Sequence, residues 1–116
     1  LHEIPCVYEG PDLASVASAC GLSEQEIIRI HSEKEYTVFF LGFLPGFAYM
    51  GATDERIAIS RKAKPVPIQA GDIGLAGNQT GIYPIASPGG WQIIGRTNSI
   101  PHFRAGDRVR FIPVIA

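Results

Sequence analysis

Three short stretches of this chain hold the side chains that could do chemistry. The first, Leu41 to Gly51, sets Phe43, Phe47 and Tyr49 among three glycines and Pro45. It is too broken for a helix and too kinked for a plain strand. The second is Gly77-Asn78-Gln79-Thr80-Gly81-Ile82-Tyr83-Pro84. Here Gln79 and Thr80 offer hydrogen-bonding groups between glycines that let the backbone approach a ligand closely. The third, Ser87-Pro88-Gly89-Gly90-Trp91 followed by Ile94-Gly95-Arg96-Thr97, presents the one tryptophan and an arginine. A guanidinium suits carboxylate or phosphate oxygens. A Gly/Pro-rich frame holding aromatics and a few polar tips is how binding grooves are made. The same pattern also reads as tight turns on a barrel, with Phe43, Phe47, Tyr83 and Trp91 as core, and periodicity does not separate the two.

The common catalytic signatures are absent from the sequence. There is no GxxxxGK[ST] phosphate loop and no GxSxG elbow, and Gly71, Gly74 and Gly77 recur every third residue rather than as GxGxxG. His2, His31 and His102 lie far apart with no metal-ligand spacing, so no metal is expected and each reads as structural or surface. Cys6 and Cys20 form no CxxC pair and read as free thiols, which fits a cytoplasmic protein. The net charge is −1, and the densest basic run, Arg61-Lys62-Ala63-Lys64, is too short to track phosphates, so no nucleic-acid partner is expected. No apolar run approaches the roughly 20 residues of a membrane-spanning helix, so no membrane partner is expected either. The chain starts at Leu1 and reads as a fragment of a longer protein.

The elements that must position these stretches are short. Ile4 to Tyr8 reads as a strand. Leu13, Val16, Ala17 and Cys20 form one apolar stripe at helical spacing, closed by Gly21. Ser23-Glu24-Gln25-Glu26 is a capping box for a second helix, with Leu22 and Ile27 as its hydrophobic staple. Tyr36 to Phe43 is β-branched and aromatic and reads as a central strand. Beyond it lie only short extended pieces, at roughly 57–59, 66–68, 73–76, 82–86, 91–96 and 107–114, between Gly, Pro, Asn and Asp. Thirteen glycines and nine prolines punctuate 116 residues, which suggests one mainly β domain, a closed or nearly closed antiparallel barrel. Ala70-Gly71-Asp72 and Ala105-Gly106-Asp107 echo each other, each launching a strand.

The stretches "GFLPGFAYMG", "AGNQTGIYPIASPGGWQIIGRT" and "GDRVRFIPV" together resemble the C-terminal domain of the KipI family, also called allophanate hydrolase subunit 1 and the 5-oxoprolinase B subunit (PxpB). The resemblance extends upstream through "VYEGPDLASVASACGLSEQEIIRIHS" and covers nearly the whole chain. It implies a cyclophilin-like β-barrel with two short N-terminal helices, with residues 1–116 as a single domain at the C-terminal end of a longer subunit. It implies a subunit of an ATP-dependent 5-oxoprolinase, opening 5-oxoproline to glutamate beside a KipA-like C subunit and a LamB/YcsF-like A subunit. ATP would be used by the complex, and no cofactor is expected on this domain. In sporulating bacilli the resemblance also implies inhibition of the sporulation histidine kinase through its dimerisation and phosphotransfer domain. An allophanate hydrolase or urea amidolyase-type subunit is the alternative. Prolyl isomerase activity ranks low, because the chain shows no cyclophilin-type catalytic motif and fold alone does not carry function.

Carried over by position, the groove would have Phe43, Pro45, Gly46, Phe47 and Tyr49 on one wall. Gln79, Thr80, Gly81 and Tyr83 would form a second wall, and Ser87, Pro88, Gly89, Gly90, Trp91, Arg96 and Thr97 a third. Of the family's arginine-rich run before the next strand, only Arg61 matches here, within Ser60-Arg61-Lys62-Ala63-Lys64-Pro65-Val66-Pro67, and Asn98 to Ala105 is shorter than its family counterpart. By chemical type, Arg96 and Gln79 are the residues expected to meet carboxylate or amide oxygens of a small lactam.

Overall fold

A computed structural model describes residues 1–42 and 46–115. The helices form where the apolar spacing requires them. Helix α1 (Leu13–Cys20) buries Leu13, Val16 and Ala17 and ends at Gly21. Helix α2 (Glu24–Ser32) starts from the capping box. The Glu26 amide donates to Ser23 Oγ at 3.1 Å, and the Ser23 amide donates to Glu26 Oε1 at 3.0 Å. The carboxylate that accepts this bond is held below the ordinary range, chiefly by the Ser23 main chain.

Among the described residues, nine strands follow the order of the chain: β1 (His2–Cys6), β2 (Tyr36–Leu41), β3 (Ala48–Gly51), β4 (Val66–Ile68), β5 (Asp72–Ala76), β6 (Gln79–Ile82), β7 (Ser87–Gly89), β8 (Gln92–Arg96) and β9 (Arg108–Pro113). Seven make one sheet in the order β1-β9-β2-β3-β6-β5-β8, and β4 and β7 make a separate two-stranded ribbon. The edges of the large sheet nearly meet. Just past β1, the Val7 amide donates to the Arg96 carbonyl at 2.9 Å, and the Arg96 amide returns a bond to the Val7 carbonyl at 3.0 Å. The result is a mainly β, nearly closed barrel with two helices packed outside it, α1 against β8 and α2 against β9. All neighbours are antiparallel except β1 and β9, which pair in parallel from His2↔Val109 to Cys6↔Pro113.

The Ala-Gly-Asp echo is one turn used twice. In each copy the glycine takes positive φ, 90° at Gly71 and 91° at Gly106, and the aspartate Oδ2 accepts the amide three residues earlier, from Gln69 or Arg104, at 2.9 Å.

Several elements differ from the sequence reading. Residues 48–51, expected in a loop, are strand β3. Residues 55–57 form a turn of 3₁₀ helix, and Ile59 makes only a bridge to Gly77. Gln79 and Thr80, expected at a loop tip, lie in β6, and Ser87 to Gly89, expected in a tight turn, are β7. The central strand stops at Leu41, and Phe43 and Pro45 lie outside the described residues.

The barrel interior is apolar, built from residues such as Ile4, Val38, Met50, Ile73, Leu75, Ile94, Val109 and Phe111. One buried polar chain crosses it. The Thr80 hydroxyl donates to the Gly74 carbonyl at 2.8 Å, so its oxygen accepts from His31 Nε2–H at 2.9 Å. His31 Nδ1 is then the acceptor for the Tyr8 hydroxyl at 2.6 Å. The His31 ring stacks on Phe111 with centroids 4.6 Å apart, and its carbonyl accepts the Tyr36 hydroxyl at 2.7 Å. His31 thus ties α2 to the sheet as a neutral imidazole. Burial pushes it down to about 3, because a charge there would lose its hydration with no carboxylate to compensate. Cys6 is buried and Cys20 half-buried, both as free thiols, and burial pushes the Cys6 thiol up to about 12.

The His31 chain makes stability pH-dependent. The folded pKa lies below the unfolded value near 6.5, so the unfolded chain takes up the proton first. This contribution is complete above about pH 6.5 and is lost as pH falls towards 3, at about 1.4 kcal/mol per pH unit. Urea unfolding between pH 6 and 5 should show this slope in the native protein, and His31→Gln should flatten it. An unchanged slope in that variant would assign the acid sensitivity elsewhere.

Candidate functional site

The strands flanking the barrel wall send side chains to both faces, and both faces are apolar. Ala48 and Met50 of β3 point into the barrel, while Phe47 and Tyr49 point outwards. Ile94 of β8 points in and Ile93 out. The outward set forms a second core of Phe47, Ile68, Ala76, Tyr83, Trp91 and Ile93, covered by Val66 and Ile68 of the β4–β7 ribbon. Two paired glycines, Gly74 on β5 and Gly81 on β6, leave the wall bare beneath it. A Cβ on Gly74 would stand 3.1 Å from Trp91 Cβ, and one on Gly81 would stand 3.2 Å from the Phe47 ring. The aromatic layer therefore lies directly on backbone. Phe47 meets Tyr83 and Trp91 edge-on at 5.1 and 5.2 Å between centroids, and Tyr49 stacks on Phe40 of β2 at 4.4 Å.

A cleft of about 520 Å³ opens on this layer. Tyr49 and Trp91 contribute aromatic surface, and Ala76, Gly77 and Asn78 form its turn. Its other polar groups are Gln79 from β6 and Ser60 and Arg61 from the loop before β4. Arg61 is exposed and makes no ion pair among the described residues, and no carboxylate lines the cleft. Its charge is therefore free for a ligand.

The structure brings together four of the expected site residues here, Tyr49, Arg61, Gln79 and Trp91, and distributes the others. Phe47, Thr80 and Tyr83 are fully buried: Phe47 and Tyr83 support the layer, and Thr80 belongs to the His31 chain. Ser87 and Pro88 line a different, apolar hollow of about 420 Å³ beside the ribbon. Arg96 and Thr97 line a third, of about 530 Å³, at the barrel seam. There Arg96 pairs with Glu9 at 3.3 Å, and Thr97 Oγ1 accepts the Ser99 amide. The arginine beside Gln79 is thus Arg61 and not Arg96. Ser60 and Asn78 were not singled out in the sequence, although Asn78 adjoins Gln79 in the same Gly-flanked motif. Among the described residues no group of His, Cys, Asp and Glu could hold a metal ion.

Both the sequence and the fold match known proteins. The chain belongs to the family of the carboxyltransferase domain, subdomain C and D, whose family model matches residues 1–111. Within it, the chain is 50% identical over 125 residues to the B subunit of 5-oxoprolinase from Escherichia coli O157:H7, an alignment covering 96% of this chain and 57% of that protein. The crystal structure of a conserved uncharacterized protein, PH0987 from Pyrococcus horikoshii, superposes with a TM-score of 0.89 at 49% identity, over 97% of this chain and 58% of that one. The urea amidolyase of K. lactis shares the fold at a TM-score of 0.79 and 17% identity, over 98% of this chain and 9% of that one. The chain spans between 52% and 58% of the length of the curated relatives it matches.

The cover over the aromatic layer makes a sharp demand at Gly89. The Tyr83 hydroxyl lies directly beneath it, where an added Cβ would collide. That hydroxyl is buried without a well-formed hydrogen bond; burial raises the phenol, and the nearby Trp91 main chain works the other way. Gly89→Ala should destabilise the fold by about 1–3 kcal/mol in urea titrations. Adding Tyr83→Phe should recover only part of that loss, because ring carbons of residue 83 still stand 2.9 and 3.0 Å from the added Cβ, and strictly additive losses would disprove the hydroxyl's part in it.

Proposed function

We propose that this chain is the C-terminal domain of the B subunit of an ATP-dependent 5-oxoprolinase, and that its Arg61–Gln79 cleft holds the substrate. The name carried by the curated relatives supports the first part. The observation that carries the second is a free guanidinium beside two side-chain amides, over aromatic surface and with no carboxylate in the lining. 5-Oxoproline presents a carboxylate and a lactam amide on a small ring. Arg61 would take the carboxylate, Gln79 and Asn78 the lactam, and Trp91 and Tyr49 the ring face. Among the described residues the lining holds no aspartate, glutamate, histidine, cysteine or lysine, so in this reading the domain binds and orients. ATP is consumed elsewhere in a complex with KipA-like and LamB/YcsF-like subunits. The urea amidolyase reading rests on fold alone.

In the complex reconstituted from full-length subunits, Arg61→Ala and Gln79→Ala should each raise the KM for 5-oxoproline about tenfold or more, with subunit assembly intact. An unchanged KM in both would remove the cleft as the substrate site.

One further feature favours a second reading, a protein contact such as a histidine kinase. Phe39, Phe40 and Leu41 at the end of β2 are 49%, 51% and 44% exposed, beyond the two residues of β2 that pair with β9. If this face inhibits a kinase, Phe39→Ser with Phe40→Ser should abolish inhibition of autophosphorylation while leaving the fold intact. Inhibition that survives the double change would end this reading. Phe47, being buried, cannot serve as the probe.

A further inference from the structure

Arg61 stands on a segment with no strand or helix of its own, yet its neighbours are tied to fixed parts of the barrel. On one side, Ile59 and Gly77 exchange backbone bonds of 3.2 and 2.6 Å, and the Ser60 carbonyl accepts from Gln92 Nε2 at 3.1 Å. On the other, the Lys62 amide donates to the Gly90 carbonyl at 2.7 Å. The Lys62 ammonium lies 2.8 Å from Asp12 Oδ2, with the two side chains only 21% and 13% exposed. Asp12 is itself rigid. The same oxygen accepts the Ile93 amide at 2.7 Å, and the Asp12 amide donates to the Ile93 carbonyl at 2.9 Å. The carboxylate at the start of α1 is thus locked to β8 and holds the loop by its one lysine contact.

We infer that the Asp12–Lys62 ion pair sets the Arg61 guanidinium over the cleft, making Asp12 and Lys62 positioning residues for the carboxylate of the ligand. This rests on the cleft being the substrate site proposed above. The reason is geometric. A half-buried, doubly anchored pair fixes a side chain in a way that an exposed pair does not. Reactant geometry is sensitive to displacements of about 1 Å. Lys62 is adjacent to Arg61 in sequence but is not part of the cleft lining, so its influence on a ligand passes through Arg61.

The test uses the reconstituted complex of full-length subunits with 5-oxoproline as the probe. Lys62→Met and Asp12→Asn should raise KM about three- to tenfold with kcat nearly unchanged, and Lys62→Arg should restore most of the loss. Asp12→Asn keeps an acceptor for the Ile93 amide and removes only the charge. In an Arg61→Ala background, Lys62→Met should add nothing further. A full additional loss in that background, or a fall in kcat with KM unmoved, would overturn the inference while leaving the Arg61 site standing. If Arg61→Ala alone leaves KM unchanged, Arg61 does not meet the substrate and this inference falls; if Gln79→Ala also leaves it unchanged, the substrate reading fails as well. Hydrogen exchange of the free subunit separates positioning from stability. Lys62→Met should speed exchange at residues 61 and 62 and spare β5 and β6; uniform acceleration would mark the pair as merely stabilising and overturn the inference.

Discussion

The bare patch of barrel wall at Gly74 and Gly81 is the constraint on which the rest of the site depends. Two facing glycines remove the side chains that would normally stand on the outer face of adjacent strands. Phe47 and Trp91 therefore lie against the main chain, and the β4–β7 ribbon can close over them. Any side chain at either glycine would lift the layer, and with it the aromatic part of the cleft. The turn joining β5 to β6 is carried by the same two strands, which sets Asn78 and Gln79 in one lining with Trp91.

Inside the wall a different requirement is met. Thr80 is the neighbour of Gln79 on β6, and strand alternation sends one side chain to the cleft and the other into the barrel. Its hydroxyl ends the Tyr8–His31–Thr80 chain, in which every donor and acceptor has a partner. A fully satisfied buried network is rigid, and a half-satisfied one is costly. The strand that presents Gln79 is thus held from behind by helix α2.

Much of the scaffold was legible in the sequence. The capping box, the stripe on α1 and the strand at 66–68 declare themselves through residue type and spacing. The repeated Gly-Asp turn was visible as an echo, and its two copies share one hydrogen-bond pattern. Strand β3 was hidden because Phe47, Ala48, Tyr49 and Met50 are apolar on both faces, so alternation leaves no signal. Gln79 and Thr80 resembled a loop tip because the glycines around them suggested a turn, whereas Gly81 serves to admit an aromatic ring. Family resemblance carried both Arg61 and Arg96 over to the groove, and chemical type singled out Arg96 for the ligand's oxygens. Only the folded chain shows that Glu9 accompanies Arg96 and that Arg61 has no such companion among the described residues. Lys62 read as part of a solvated basic run, because nothing local in the sequence connects it to Asp12.

The parallel pairing of β1 with β9 sets an order of events. The first strand has its ladder partner at the opposite end of the chain, and β9 also bridges to β2. During synthesis, the ring of strands stays open until residues 108–113 have left the ribosome, while α1 and α2 can form from local contacts alone. The edges awaiting that last segment are those of β1 and β2, and β2 carries Phe39, Phe40 and Leu41. The late arrival of one strand gives the growing polypeptide a period of vulnerability to self-association that its compact final form conceals.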